Sequence, residues 1–226
     1  MINILRKVPL FSSLKDEELE AINLVSIVKK YPKDMIILLA DEEGDTLFVI
    51  IKGKVKITSF SEAGKEVIFS IMGEGDFFGD MSLLDGKPRS ASVVSIEDSE
   101  LCLLRRNDFN RLVEKHPGIA LKLLKELTSR LRKADERIES LALLDVSGRI
   151  AGILLQIAEE SGKRAPDGGV IIQSRPTHQE LANMVGTTRE TVTRILNQME
   201  HNNYIVMSGK SVTILNPEML KRDLYK

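Results

Sequence analysis

The sequence predicts an α+β chain: an N-terminal antiparallel β-roll of jelly-roll type with short helices before it, one long helix, and two short helices followed by a β-hairpin wing. Three observations predict this. Short apolar runs punctuated by glycine fill the stretch from about Met35 to Leu104, a seven-residue apolar period runs from Ala120 to Leu141, and a helix, glycine, helix, hairpin order runs from Thr177 to Leu215. With 226 residues the chain can bury two separate cores. The pattern places boundaries at 1–117, 118–144 and 145–226.

In the first stretch, Leu47-Phe48-Val49-Ile50-Ile51, Lys54-Val55-Lys56-Ile57 and Val67-Ile68-Phe69-Ser70-Ile71 are separated by glycines that include Gly53 and Gly64. Strand-length apolar runs at close spacing with glycine at the turns mark an antiparallel roll or barrel. The one cysteine, Cys102, sits in Leu101-Cys102-Leu103-Leu104 and reads as a core-strand thiol. A single cysteine forms no intramolecular disulfide and no Cys-rich metal site.

Pro117-Gly118 closes a short helix and lets the next begin. From there Ala120, Leu124, Leu127, Leu131, Ala134, Ile138 and Leu141 recur in steps of 4, 3, 4, 3, 4 and 3. That is the narrow stripe a helix presents to a parallel partner helix. The expected partner is a second copy of the chain; the competing reading is a helix lying along its own β-roll for part of its length. Asp145 takes the next seam position, ends the stripe and is a favoured N-cap for a helix from Val146, which predicts a hinge near Leu144-Asp145. The stretch from Ser161 to Gly169 reads as a Gly- and Pro-containing loop.

Thr177 and Glu180 have capping-box spacing at the head of a helix from Thr177 to Val185, and Gly186 turns into a second helix from Thr187 to Leu196. Val192, Ile195, Leu196 and Met199 share its core face; Arg189, Glu190, Thr193 and Arg194 share the other. An exposed helix face with arginines near its N-terminus suits a DNA major groove, where guanidinium binds guanine through two donors and carboxylate accepts from cytosine. The competing reading makes Glu190 a capping-box partner of Thr187 and leaves the arginines as solvated surface. The hairpin that follows, Tyr204 to Met207, a Ser208-Gly209-Lys210 turn and Ser211 to Leu215, completes a winged helix-turn-helix and favours DNA.

Hydrophobic residues at 42% and charged residues at 29% describe a chain that folds. No apolar run approaches the roughly 20 residues of a membrane span. The beginning, Met1-Ile2-Asn3-Ile4-Leu5-Arg6-Lys7, lacks a signal peptide's basic-then-apolar order, so a soluble cytoplasmic protein with no membrane partner is expected. The net charge of -1 advertises no nucleic acid, and from Val146 onward 10 Lys+Arg stand against 8 Asp+Glu, net +2. No nucleophile elbow, Walker loop, His-Glu-x-x-His or clustered metal ligands occur, so neither enzyme nor metal site is expected.

Arg149-Ile150-Ala151, Gln179-Glu180-Leu181-Ala182 and Thr188-Arg189-Glu190-Thr191-Val192 with Arg194-Ile195-Leu196 resemble the cyclic-AMP receptor protein / fumarate-nitrate reduction regulator (CRP/FNR) superfamily, above all its cyclic-AMP receptors. The resemblance implies a ligand-gated transcription regulator: a cyclic-nucleotide-binding sensor roll, a dimerisation helix and a DNA-binding domain. It implies that Arg189, Glu190 and Arg194 read a TGTGA-type palindrome. It also implies that Thr177, Gln179, Thr188, Thr191 and Lys210 touch DNA phosphates, a role that positions without specifying, and that RNA polymerase is a further partner. With so modest a positive charge, affinity is expected to depend on both subunits of a homodimer binding at once.

Within the roll, Phe78-Gly79-Asp80-Met81-Ser82-Leu83-Leu84, then Asp85-Gly86-Lys87, then Pro88-Arg89-Ser90-Ala91-Ser92 is similar to the family's phosphate-binding cassette. Arg89 offers a planar fork to a cyclic phosphate, Ser90 a hydroxyl and an amide, Gly79 a close backbone approach, and Asp80, followed by Met81, an acceptor for a ribose 2'-hydroxyl. The competing reading is an Arg89–Asp80 salt bridge that holds a β-turn. Two departures matter. The family's usual glutamate is the shorter Asp80, and its adenine-contacting Thr-Ser pair falls on Ala134 and Asp135. Alanine cannot hydrogen-bond a base, whereas the Asp135 carboxylate accepts one bond from adenine's amino group or two from guanine's N1–H and N2–H2. An altered base preference is expected, with cyclic AMP the leading effector, cyclic GMP or cyclic di-GMP next, and no other cofactor required. Iron–sulfur sensing lacks its cysteines, and His116, His178 and His201 are poorly placed for haem. A constitutive DNA-binding architectural protein with a vestigial pocket is the alternative.

Overall fold

The computed structural model describes residues 2–12, 14–165 and 168–224. It forms two compact units, Met1–Leu131 and Arg132–Lys226. In chain order the first contains α1 (Ile2–Leu5), α2 (Asp16–Val25), β1 (Ile27–Tyr31), β2 (Ile36–Leu38), β3 (Thr46–Lys52), β4 (Val55–Phe60), β5 (Glu66–Met72), β6 (Phe77–Phe78), α3 (Asp80–Asp85), β7 (Ser92–Ser95), β8 (Ser99–Arg105) and α4 (Arg106–Lys115). Helix α5 (Gly118–Leu143) has residues in both units.

The strands form two antiparallel four-stranded sheets, ordered β1-β8-β3-β6 and β2-β7-β4-β5, the expected jelly-roll. Strand β3 explains why Leu47 to Ile51 is continuously apolar. Side chains alternate across a strand, and here both faces are covered: Phe48 and Ile50 pack with Tyr31, Val55, Phe78, Val93 and Leu101, while Leu47, Val49 and Ile51 pack with Phe77, Cys102, Leu104 and the N-terminal Leu5, Val8, Phe11 and Leu19. The roll also begins earlier than Met35. Strand β1 pairs with β8 from Ile27↔Leu103 to Tyr31↔Ser99. Four of its five residues are exposed and two are lysines, so its sequence carries no core alternation.

Helix α5 shows both faces that its pattern allowed. Ile119 and Leu123 are buried and Leu127 packs against the roll core, a set spaced by four. Leu124, Leu131, Ile138 and Leu141 of the seam are exposed, Leu131 by 62% and Ile138 by 65%, and Ala120 is half-buried. Full burial of one such side chain stabilises by about 1.5–3 kcal/mol, so a stripe of four left in water is unfavourable. The helix ends before Asp145, whose carboxylate accepts from the Gly148 amide at 2.8 Å and caps the next helix.

The second unit continues with α6 (Val146–Ser161), β9 (Lys163–Arg164), β10 (Val170–Ile172), α7 (His178–Val185), α8 (Arg189–His201), β11 (Ile205–Ser208), β12 (Ser211–Ile214) and α9 (Pro217–Leu224). Its antiparallel sheet is ordered β11-β12-β10-β9, so the wing hairpin has two further strands beside it. The loop expected from Ser161 to Gly169 is therefore corrected: Ser161 ends α6, and Lys163 and Arg164 pair with Ile171 and Val170. Gly162 is required by close approach, since a Cβ there would collide with the Ala158 carbonyl and the Val170 side chain. Pro166 and Asp167 of that loop lie outside the described residues. Ile150, Leu154, Leu181, Val185, Val192, Leu196, Ile205, Val212 and Leu220 form the core of the unit.

Candidate nucleic-acid interface and effector pocket

Helix α7 starts as its sequence predicts. The Thr177 hydroxyl accepts from the Glu180 amide at 3.2 Å, and the Glu180 carboxylate accepts from the Thr177 amide at 2.7 Å, which satisfies two otherwise orphaned donors. Its end is held by arginines: Arg149 Nε donates to the Val185 carbonyl at 3.1 Å and Arg137 Nη2 to the Met184 carbonyl. Gly186 then takes the left-handed conformation, φ 73°, that a side chain rarely adopts.

The cap of α8 is Thr188, not Thr187, with its hydroxyl accepting from the Thr191 amide at 3.3 Å. Glu190 is therefore the second helical residue and not the capping-box partner of Thr187. Hydrogen bonds with its own backbone amide and the Thr188 hydroxyl, with the Arg189 charge beside them, hold its carboxylate below the ordinary range. Val192, Ile195, Leu196 and Met199 are buried. On the opposite side Arg189, Glu190 and Arg194 are exposed and line one shallow open concavity with Thr193 and Asn197. Asn197 went unnoticed in the sequence, although positions 190, 194 and 197 follow the helical repeat. Of the residues assigned to phosphates, Thr177, Gln179, Thr188 and Lys210 are exposed and Thr191 is half-buried. Lys210 sits at the tip of the wing, where its carbonyl accepts from the Arg175 amide at 3.0 Å.

In the roll, Arg89 is 5% exposed. Its Nη1 donates to the Gly79 carbonyl at 2.9 Å and its Nη2 to the Thr46 carbonyl at 3.0 Å. The guanidinium lies 6.0 Å from the centroid of Phe48, which stacks on Phe78 at 5.0 Å. Burial lowers the Arg89 pKa, against the opposing charge of Asp45. Gly79 has φ 82°, and a Cβ there would stand 2.7 Å from the Thr46 oxygen and 2.9 Å from Arg89 Nη1. A Cβ on Gly44 would collide with the Arg89 guanidinium itself.

Asp80, 3% exposed, does not bridge to Arg89. Its ion pair is with Arg130 of α5, Nη1 to Oδ1 at 3.1 Å. That correction has a steric reason: the Arg89 fork is already directed at two main-chain oxygens. Arg130 also donates to the Phe77 carbonyl at 2.7 Å and lies 4.6 Å from the Phe77 ring centroid. Asp80 Oδ2 and Arg89 Nε are buried with no hydrogen-bond partner among the described residues, which leaves one acceptor and one donor of the cassette unpaired. The Ser90 hydroxyl donates to Met81 Sδ at 3.3 Å, and both residues are exposed. Ala134 and Asp135 are exposed on α5 and belong to the second unit. Sequence reasoning missed Gly44, Arg130 and Arg106, whose Nη2 donates to the Ser82 carbonyl at 2.7 Å. Their contacts come from residues far away in the chain, so no local pattern marks them.

Among the described residues no group of three or more His, Cys, Asp or Glu could hold a metal ion. No described helix is long and apolar enough to cross a membrane. Residues 28–116 match the cyclic nucleotide-binding domain family, and residues 148–223 match the Crp-like helix-turn-helix domain family. The chain is 33% identical over 223 residues, 98% of its length and 99% of the relative's, to the CRP-like cAMP-activated global transcriptional regulator of Mycobacterium tuberculosis. It is 36% identical over 189 residues, 83% of its length and 89% of the relative's, to the cAMP-activated global transcriptional regulator CRP of Salmonella typhimurium. Among solved structures, the c-di-GMP responsive global regulator CLP of Xanthomonas campestris superposes with a TM-score of 0.76 at 24% identity, over 89% of this chain and 100% of that one, a likeness of fold.

Proposed function

The chain belongs to the CRP/FNR superfamily of transcription regulators, and from that premise we propose that it binds a TGTGA-type palindrome as a homodimer and is gated by a cyclic nucleotide. The observation that carries the reading is the joint outward exposure of Arg189, Glu190 and Arg194 above the buried face of α8. In this reading the two arginines take guanine edges and Glu190 takes cytosine. Thr177, Gln179, Thr188, Thr191 and Lys210 seat the helix on phosphates.

Dimerisation is assigned to Leu124, Leu127, Leu131, Ala134, Ile138 and Leu141 along α5. The sensor is assigned to 1–117, the dimerisation helix and hinge to 118–144 and the DNA-binding domain to 145–226. The effector site is assigned to Gly79, Asp80, Met81, Arg89 and Ser90, with Ala134 and Asp135 facing the base. Support comes from the unpaired buried donor on Arg89 and the unpaired buried acceptor on Asp80. Cyclic AMP is the first effector by likeness to cAMP-activated relatives; cyclic GMP and cyclic di-GMP follow from the carboxylate of Asp135. Effector binding is taken to change the packing along the seam and to turn the winged domains at Leu144-Asp145, which requires that the effector bind one arrangement more tightly than the other. The site of action is the cytoplasm, with RNA polymerase as a further partner.

The test is an anisotropy titration of the full chain against the palindrome at fixed salt, alone and with each of the three nucleotides. Coupling of about 5–150-fold is expected for the true effector. Equal affinity under all four conditions, unchanged in Arg89→Ala, would instead establish the constitutive DNA-binding alternative. Equal affinity for a scrambled duplex removes the base-reading assignment.

A further inference from the structure

His178 is the first residue of α7, between Thr177 and Gln179, and is half-buried against α8. Its Nδ1 lies 2.8 Å from the Thr193 hydroxyl. That hydroxyl donates its one proton to the Arg189 carbonyl at 3.0 Å, so towards the ring it is the acceptor and Nδ1 carries the hydrogen. Nε2 is then a bare acceptor in the neutral ring and a charged donor in the protonated one, and among the described residues no hydrogen bond engages it. Two cations act on the ring, Arg175 from the segment before α7 and Arg189 from the start of α8. The Glu180 carboxylate, two residues further along α7, is occupied by the Thr177 amide and hydroxyl at 2.7 and 2.8 Å. Partial burial, followed by these two guanidinium groups, pushes the ring below its ordinary range, so in the free protein it is neutral near pH 7.

We infer that His178 is a proton-linked phosphate contact: a duplex phosphate seated by its neighbours Thr177 and Gln179 draws a proton onto Nε2, and affinity for DNA rises as pH falls. The inference rests on the DNA-binding reading. A phosphate offsets the field of Arg175 and Arg189 and accepts from the imidazolium, both of which favour the charged ring. Each pKa unit gained on binding is a tenfold gain in affinity once the pH is below both values. The contact neutralises a phosphate, so it also steepens the salt dependence by about 0.9 per subunit at low pH.

The experiment is an anisotropy titration of the full chain with saturating cyclic AMP, between pH 8 and pH 6, on the TGTGA palindrome and on a scrambled duplex of equal length. Wild type is expected to tighten on both duplexes by up to about tenfold per subunit for each pKa unit gained, because phosphate contacts ignore sequence. His178→Gln should lose that gain and the extra salt slope. His178→Arg, a permanent cation, should bind tightly already at pH 8 with a flat profile. Parallel pH profiles for wild type and both variants overturn the inference and leave the DNA-binding reading standing. Absence of binding to either duplex at every pH overturns that reading and the inference together.

Discussion

Replacing Arg130 by Met should destabilise the first unit by about 3 kcal/mol. The substitution removes the ion pair to Asp80, the bond to the Phe77 carbonyl and the guanidinium over the Phe77 ring. Stripping one partner from a buried pair costs about 3–5 kcal/mol, because the other charge is left without compensation. Asp80 is 3% exposed and its Oδ2 already has no partner. The Arg130 side chain is 26% exposed, so water can enter where it leaves, and the lower end of that range applies. Adding Asp80→Asn removes the stranded charge, and the double variant should recover about half the loss, some 1.5 kcal/mol, by the same reasoning. Urea unfolding followed by circular dichroism reads both; at a slope of about 1.5 kcal/mol/M the single variant's midpoint falls by about 2 M. A single variant within about 0.5 kcal/mol of wild type, or a double variant no more stable than the single, would refute the reasoning.

Three further outcomes are expected. Gly44→Ala should displace the Arg89 guanidinium from the Thr46 and Gly79 carbonyls, costing about 1.5–3 kcal/mol for each charge-assisted bond lost; calorimetry with cyclic AMP should show weakened binding while DNA affinity without effector is kept. Leu131→Glu with Ile138→Glu places charge on the exposed seam, and sedimentation velocity should show monomers where wild type is dimeric; an unchanged dimer would move the interface elsewhere. Burial raises the Cys102 thiol, so the folded state holds its proton more firmly than the unfolded one, and this group's share of stability is present below the ordinary thiol range and declines as pH rises above it. Alkylation of Cys102 at pH 8 should accordingly need denaturant, and rapid labelling of native protein would contradict its burial.

The fold was legible wherever a local period carried it. The seam of α5, the Thr177–Glu180 box and the buried stripe of α8 each follow from spacing within a single helix. Strand β1 was not legible, because an edge strand with its lysines in water shows no alternation. Strand β9 was missed because two basic residues become a strand only through pairing with β10. The same division holds at the sites. Arg189, Glu190 and Arg194 announce themselves on one helix face, whereas the link between Arg130 and Asp80 joins residues 50 positions apart and needed coordinates. The position of the α8 cap turned on one residue, Thr188 over Thr187, and two adjacent threonines offer sequence reasoning no basis for choosing.

The Arg89 fork is oriented by the carbonyl oxygens of Thr46 and Gly79. Peptide oxygens do not titrate in the physiological range, so no protonation of these two acceptors loosens that grip, and no carboxylate among the described residues bridges the fork. An incoming anion therefore meets a guanidinium held by neutral main-chain oxygens, with its charge only partly offset by Asp45 and Asp80. Its retention should depend little on acidity until the anion itself takes up a proton.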